Sequence, residues 1–121
     1  MAFSFRSLFG TRSAADQGWI TPDELAPLVA ADDGPMVVDV RGPDEFTGPM
    51  GHIEGAVNIP LDQFAARVAE VTAPGRAVVL VCHTDRRSSA AAHHLRGLGQ
   101  TDVVVVRGGM VAWRQNGLPT A

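Results

Sequence analysis

A chain of 121 residues, 45% hydrophobic and 19% charged, has the make-up of one globular domain, long enough to bury a core without disulfides or metals. Its net charge of −3 gives no electrostatic basis for holding nucleic acid or an anionic membrane. All ten cationic side chains are arginines, which excludes lysine chemistry, and the lone cysteine excludes an internal disulfide and points to a reducing, cytoplasmic setting.

Met1–Ser13 carries three phenylalanines, Leu8 and two arginines. It lacks the continuous apolar core of a secretory signal and is too short to span a bilayer. Residues 1–17 are expected to be a flexible tail; contact with a membrane surface or with a partner are the other readings. No transmembrane segment is expected.

Alternating short apolar runs and helical segments argue for an α/β domain with a parallel sheet. Gly18-Trp19-Ile20 reads as a short opening strand. Thr21-Pro22-Asp23-Glu24 is a capping box, with Thr21 as the cap and Glu24 three residues on. The helix it starts buries Leu25, Leu28 and Val29 and stops near Asp32–Pro35. Met36–Val40 reads as a strand buried on both faces. Asp44-Glu45-Phe46 makes a helical turn, Gly48–Gly51 a loop and Ala56–Ile59 a strand. Phe64–Val71 has helical spacing, with Phe64, Val68 and Val71 on one face. Arg76–Val81 and Asp102–Val106 are the last strands. Between them a helix runs to Gly97 or Gly99, and Gly108-Gly109 opens a closing helix that Gly117-Leu118-Pro119 ends.

Cys82 stands where the strand Arg76–Val81 gives way to the loop Cys82-His83-Thr84-Asp85-Arg86-Arg87-Ser88 and then a helix. A strand end followed by a helix N-terminus gathers backbone N–H groups and partial positive charge, which bind anions and favour thiolate over thiol. In open parallel sheets, ligands bind at this carboxyl edge.

With these segments in place, the chain resembles the single-domain rhodanese (sulfurtransferase) family. The resemblance rests on Val38-Asp39-Val40-Arg41 with Asp44-Glu45-Phe46, on Gly51–Pro60 (GHIEGAVNIP), on the Cys82 loop, and on Gly108–Trp113 (GGMVAW). It spans residues 18–119, taken as one rhodanese-like domain. It implies a central five-stranded parallel sheet with helices on both faces. It also implies a reaction in which Cys82 takes a sulfane sulfur from thiosulfate or a low-molecular-weight persulfide. The resulting persulfide passes its sulfur to cyanide or a thiol, a protein thiol among them, with no metal and no organic cofactor.

Cys82 is the expected nucleophile. Backbone N–H groups from His83 to Ser88 are expected to surround the persulfide. Arg87 closes the loop, its fork bonding loop carbonyls or an anionic substrate, while Arg86 faces solvent and attracts anions. Ser88 begins the helix, with a hydroxyl for capping or for the sulfur, and Thr84 offers the same choice. His83 holds an anion or lines the mouth. Asp85 stands where many relatives have glycine; it tolerates left-handed angles, but its charge opposes thiosulfate. Asp39, Arg41 and Glu45 read as paired structural charges, and His52 as a hydrogen-bonded structural histidine. His93 and His94 point about 100° apart on a helix and cannot share a metal.

Two other functions compete. A phosphatase or arsenate reductase of related fold uses a loop one residue longer between cysteine and arginine, and arsenate reduction often needs a resolving thiol that this chain lacks. A non-catalytic interaction module usually loses the cysteine, which is intact here; fold alone does not decide between them.

Overall fold

A computed structural model describes residues 14–121. Residues 1–13 of the expected tail lie outside the described residues. Ala14–Gln17 (α1) is a helical turn with Ala14 buried and its carbonyl accepting the Gly18 N–H, so the ordered domain begins before residue 18.

Five parallel strands form the sheet: Trp19–Ile20 (β1), Met36–Asp39 (β2), Val57–Asn58 (β3), Val78–Val81 (β4) and Val103–Val106 (β5), in the spatial order β1-β5-β4-β2-β3. Pairs such as Val38↔Leu80 and Leu80↔Val105 fix the register around the central β4. All four β4 residues and all four β5 residues are buried, which explains their unbroken apolar runs.

Because side chains alternate across a strand, the sheet feeds two cores. Val37, Val79, Val81, Val104 and Val106 face one side with Leu25 and Trp113; Val38, Val78, Leu80, Val103 and Val105 face the other with Phe64 and Leu95. Pro22–Val29 (α2) and Gly109–Gln115 (α7) cover the first face. Leu61–Phe64 (α4), Ala69–Thr72 (α5) and Arg86–Gly97 (α6) cover the second. Pro43–Phe46 (α3) follows β2 at the carboxyl edge. The expected fold class is therefore the observed one.

The capping box of α2 is present: the Glu24 N–H donates to Thr21 Oγ1 and the Thr21 N–H donates to Glu24 Oε1. Leu25 is fully buried, while Leu28 and Val29 pack part-buried against the same core. The segment 64–71 departs from expectation. Phe64 and Val71 are buried and Val68 packs beside them, yet α4 and α5 are separate turns. Across the break, the Arg67 N–H is shared between the carbonyls of Gln63 and Phe64, and the N–H groups of Glu70 and Val71 reach carbonyls three residues back, which interrupts the regular α-helical ladder.

Helix α6 explains the placement of the cysteine. Its buried residues, Ser88, Ala91, Ala92 and Leu95, lie at i, i+3, i+4 and i+7. The two alanines let the helix sit close on β4 and β5, and the serine is the polar end of that stripe. Cys82, which continues β4 on the same face, meets it there.

Candidate active site

The chain leaves β2 toward β3 and leaves β4 toward β5, in opposite directions across the sheet. The segments after β2 and β4 therefore diverge, as they do at a topological switch point. Arg41, Asp44, Glu45, Pro49 and Met50 from the first segment and His83 from the second line a cleft of about 360 Å³ there.

Cys82 is 1% exposed. Its Sγ accepts the Ser88 N–H at 3.3 Å and lies 3.4 Å from Ser88 Oγ, whose hydroxyl donates to the Asp85 carbonyl at 3.1 Å. The sulfur thus sits against the first turn of α6. That turn begins two residues earlier than expected, at Arg86 with Asp85 as cap, so Ser88 lies inside it. Asp85 has φ −141°, and every described residue with positive φ is a glycine. The loop therefore closes without the left-handed conformation considered for Asp85.

The loop is held from the far side of the sheet. Met110 and Val111 donate their N–H groups to the carbonyls of Cys82 (2.9 Å) and His83 (3.1 Å). These are donors from the first turn of α7 that lack partners within the helix. Gly108 and Gly109 have φ of +78° and +57°. A Cβ at Gly109 would collide with the carbonyl oxygens of Cys82, His83 and Thr84. Since α7 covers the opposite face from the cysteine, these contacts draw the negative ends of loop dipoles away from the sulfur.

Arg87 bonds neither loop carbonyls nor open space. Its fork donates to both oxygens of Glu45, at 2.7 and 3.0 Å. This hydrogen-bonded ion pair, with a further bond from the Gly42 N–H, holds the Glu45 carboxyl down at about 2 and raises the Arg87 guanidinium above its usual value. The partner also offsets the unfavourable placement of a cation at a helix N-terminus.

Arg41 and Asp39 are fully buried and paired through Nε and Nη2 at 2.8–3.1 Å. Asp39 Oδ1 also accepts the Arg41 N–H, Arg41 Nη2 donates to Gly51 O, and Asn58 Nδ2 donates to the carbonyls of Asp39 and Arg41. His52 stacks on Phe46 with ring centroids 3.8 Å apart, and its Nδ1 bonds Phe46 O. The expected structural pairing of Asp39 with Arg41 and the hydrogen bonding of His52 are thus seen.

Among the other loop residues, His83 reaches the cleft, whereas Thr84 and Arg86 are exposed. Asp85 is exposed and borders a separate hollow with Trp19, Ser89, Val105 and Arg107, whose guanidinium lies 4.4 Å from the Trp19 ring centre. The sequence reading missed Asp44, Pro49 and Met50 as cleft walls and Gly109 as the support of the cysteine loop. The Gly108-Gly109 doublet was the available signal for that support, since consecutive glycines mark left-handed backbone or close approach.

A sheet with a cysteine loop at its switch point, braced by a glycine-led helix behind, defines the molecule as an α/β domain of the cysteine-loop type. A family model for the rhodanese-like domain matches residues 21–116, and the chain belongs to that family. It is 38% identical over 101 residues to an uncharacterized protein of Synechocystis sp., covering 84% of this chain and 54% of that protein, so it spans about half the length of that relative. It is 37% identical over 95 residues to the thiosulfate sulfurtransferase GlpE of Pseudomonas putida, covering 77% of this chain and 82% of GlpE. Among solved structures, a rhodanese-like domain protein of Staphylococcus aureus superposes with a TM-score of 0.71 at 31% identity, over 85% of this chain and 97% of that one. Among the described residues, no helix is long and apolar enough to cross a membrane.

Proposed function

We propose that this chain is a sulfurtransferase that carries sulfane sulfur as a persulfide on Cys82. The supporting observation is the seat of the sulfur: buried at the end of the central strand, with the Ser88 N–H donating to it at 3.3 Å. A donor fixed in that position stabilises negative charge on sulfur without reorganising. The names of relatives such as GlpE agree with a small sulfur compound as substrate.

The Cys82 thiolate attacks the outer sulfur of the donor. A new S–S bond forms on Cys82, the donor's own bond to that sulfur breaks, and the leaving group departs with the electron pair, as sulfite from thiosulfate or as a thiolate from an organic persulfide. Cyanide or an acceptor thiolate then attacks the terminal sulfur of the persulfide, and the Cys82 thiolate is released. The cycle requires a reduced cysteine, which a cytoplasmic setting supplies. His83 and Ser88 stand at the mouth and the base of this site and Arg87 closes it through Glu45, while Thr84, Asp85 and Arg86 are exposed loop residues outside the cleft lining.

Intact-protein mass spectrometry after thiosulfate or glutathione persulfide tests this. The expected result is the gain of one sulfur, removed by cyanide and absent in a folded Cys82→Ser variant. No gain from either donor in folded, reduced protein would overturn the reading.

A further inference from the structure

The two arginines beside the cleft are both committed to carboxylates. Arg41 is buried on Asp39, and the Arg87 fork is filled by both oxygens of Glu45. Neither offers the open guanidinium fork that grips a small oxyanion bidentately. The cleft is also large for an inorganic anion: about 360 Å³ lies in the range of pockets that hold organic ligands. Pro49 and Met50 give it an apolar wall, and Arg114 Nη1 fixes that wall by donating to Pro49 O at 2.8 Å. Asp44, exposed on the same cleft, makes no hydrogen bond or ion pair with any described residue.

We propose that this cleft is an organic-thiol subsite, in which the carbon chain of a thiol or its persulfide lies on Pro49 and Met50 and a positive group faces Asp44. This deepens the sulfurtransferase reading and rests on it. As acceptor, the thiolate attacks the terminal sulfur of the Cys82 persulfide. The new S–S bond leaves an organic persulfide, the bond to Cys82 Sγ breaks, and its electron pair stays on the cysteine. Thiosulfate, a small dianion, gains nothing from the apolar wall and is repelled by Asp44.

The test starts from protein loaded with excess inorganic polysulfide, desalted and then discharged by cysteamine, 2-mercaptoethanol or 3-mercaptopropionate. Rates are corrected for the thiolate fraction of each reagent and normalised to cyanide discharge of the same preparation. The expected order is cysteamine, then mercaptoethanol, then mercaptopropionate. Asp44→Asn should shrink the ratio of cysteamine to mercaptopropionate about 2- to 5-fold, the scale of one exposed ion pair. Met50→Asp should lower the rate with mercaptoethanol relative to cyanide. Failure to load, or loading that cyanide does not reverse, would sink the sulfurtransferase reading and this subsite with it. Normal loading and cyanide discharge, with ratios unmoved in both variants, would overturn the subsite alone.

Discussion

Arg87 and Glu45 meet through two parallel hydrogen bonds, 2.7 and 3.0 Å long, that tie the first turn of α6 to α3 across the carboxyl edge of the sheet. The pair sets a pH dependence whose sign is fixed. Glu45 is depressed to about 2 from an ordinary value of 4.5, so the unfolded chain takes up its proton at higher pH than the folded one. The pair's contribution to stability is therefore fully present above about pH 4.5 and is lost as the pH falls toward 2. Partial exposure keeps that contribution small. Carbon-13 NMR of the Glu45 carboxyl should show a midpoint near 2, and the activity profile between pH 5 and 9 should carry no Glu45 inflection. A midpoint at the ordinary value would mean that the pair is absent in solution.

Asp39 and Arg41 form the second pair, and their burial changes the scale. Asp39→Asn leaves a buried guanidinium without its counter-charge, which costs about 3–5 kcal/mol. Replacing both, as Asp39→Leu with Arg41→Met, removes the uncompensated charge and should cost less than the single change, although the Arg41 bond to Gly51 O is lost as well. Urea denaturation of the two variants decides this. A single variant that loses under about 1 kcal/mol would show that the pair does not hold the edge together.

Gly109 should be the least replaceable of the described glycines. Its φ of +57° alone makes alanine unfavourable by about 1–2 kcal/mol, and the collision with three loop carbonyls adds to that. Gly117→Ala is the matched control, since φ is +70° there but a Cβ meets open space. Gly109→Ala should unfold at clearly lower denaturant than Gly117→Ala and, where folded, should form the Cys82 persulfide more slowly, by up to about 10²–10³-fold, the scale of one lost oxyanion-type donor. Equal behaviour of the two variants would separate α7 from the cysteine loop.

These features were unequally legible in the sequence. The strands β4 and β5 were plain because burial on both faces leaves an uninterrupted apolar run. The α2 start was plain because its cap is local, Thr21 to Glu24. Phe64, Val68 and Val71 fixed which face is buried but not how the backbone between them bonds, so a broken helix read as a continuous one. Arg87 and Glu45 were each recognised, yet their pairing spans 42 positions and depends on where α3 lands over the sheet. Met50 and Pro49 looked like loop filler, since only the divergence of the chain after β2 and β4 turns them into a wall.

Helix α7 touches both sides of the cleft, with its first turn on the cysteine loop and Arg114 in its last turn on Pro49 O. Arg114 is exposed, and a charged donor on a backbone carbonyl contributes about 1–3 kcal/mol at most, so Arg114→Met should leave the fold intact. Its effect belongs to the cleft: without the anchor, the Pro49–Met50 wall samples more positions and an organic substrate must order it on binding. A rise in KM of about 2- to 5-fold for an organic persulfide donor, with a smaller change in kcat, is the expected signature of lost positioning. Arg114→Lys, which keeps a donor within reach of the same carbonyl, should recover part of it. A fall in kcat at unchanged KM would assign Arg114 to support of the cysteine loop, and no change in either would show that the wall stands without it.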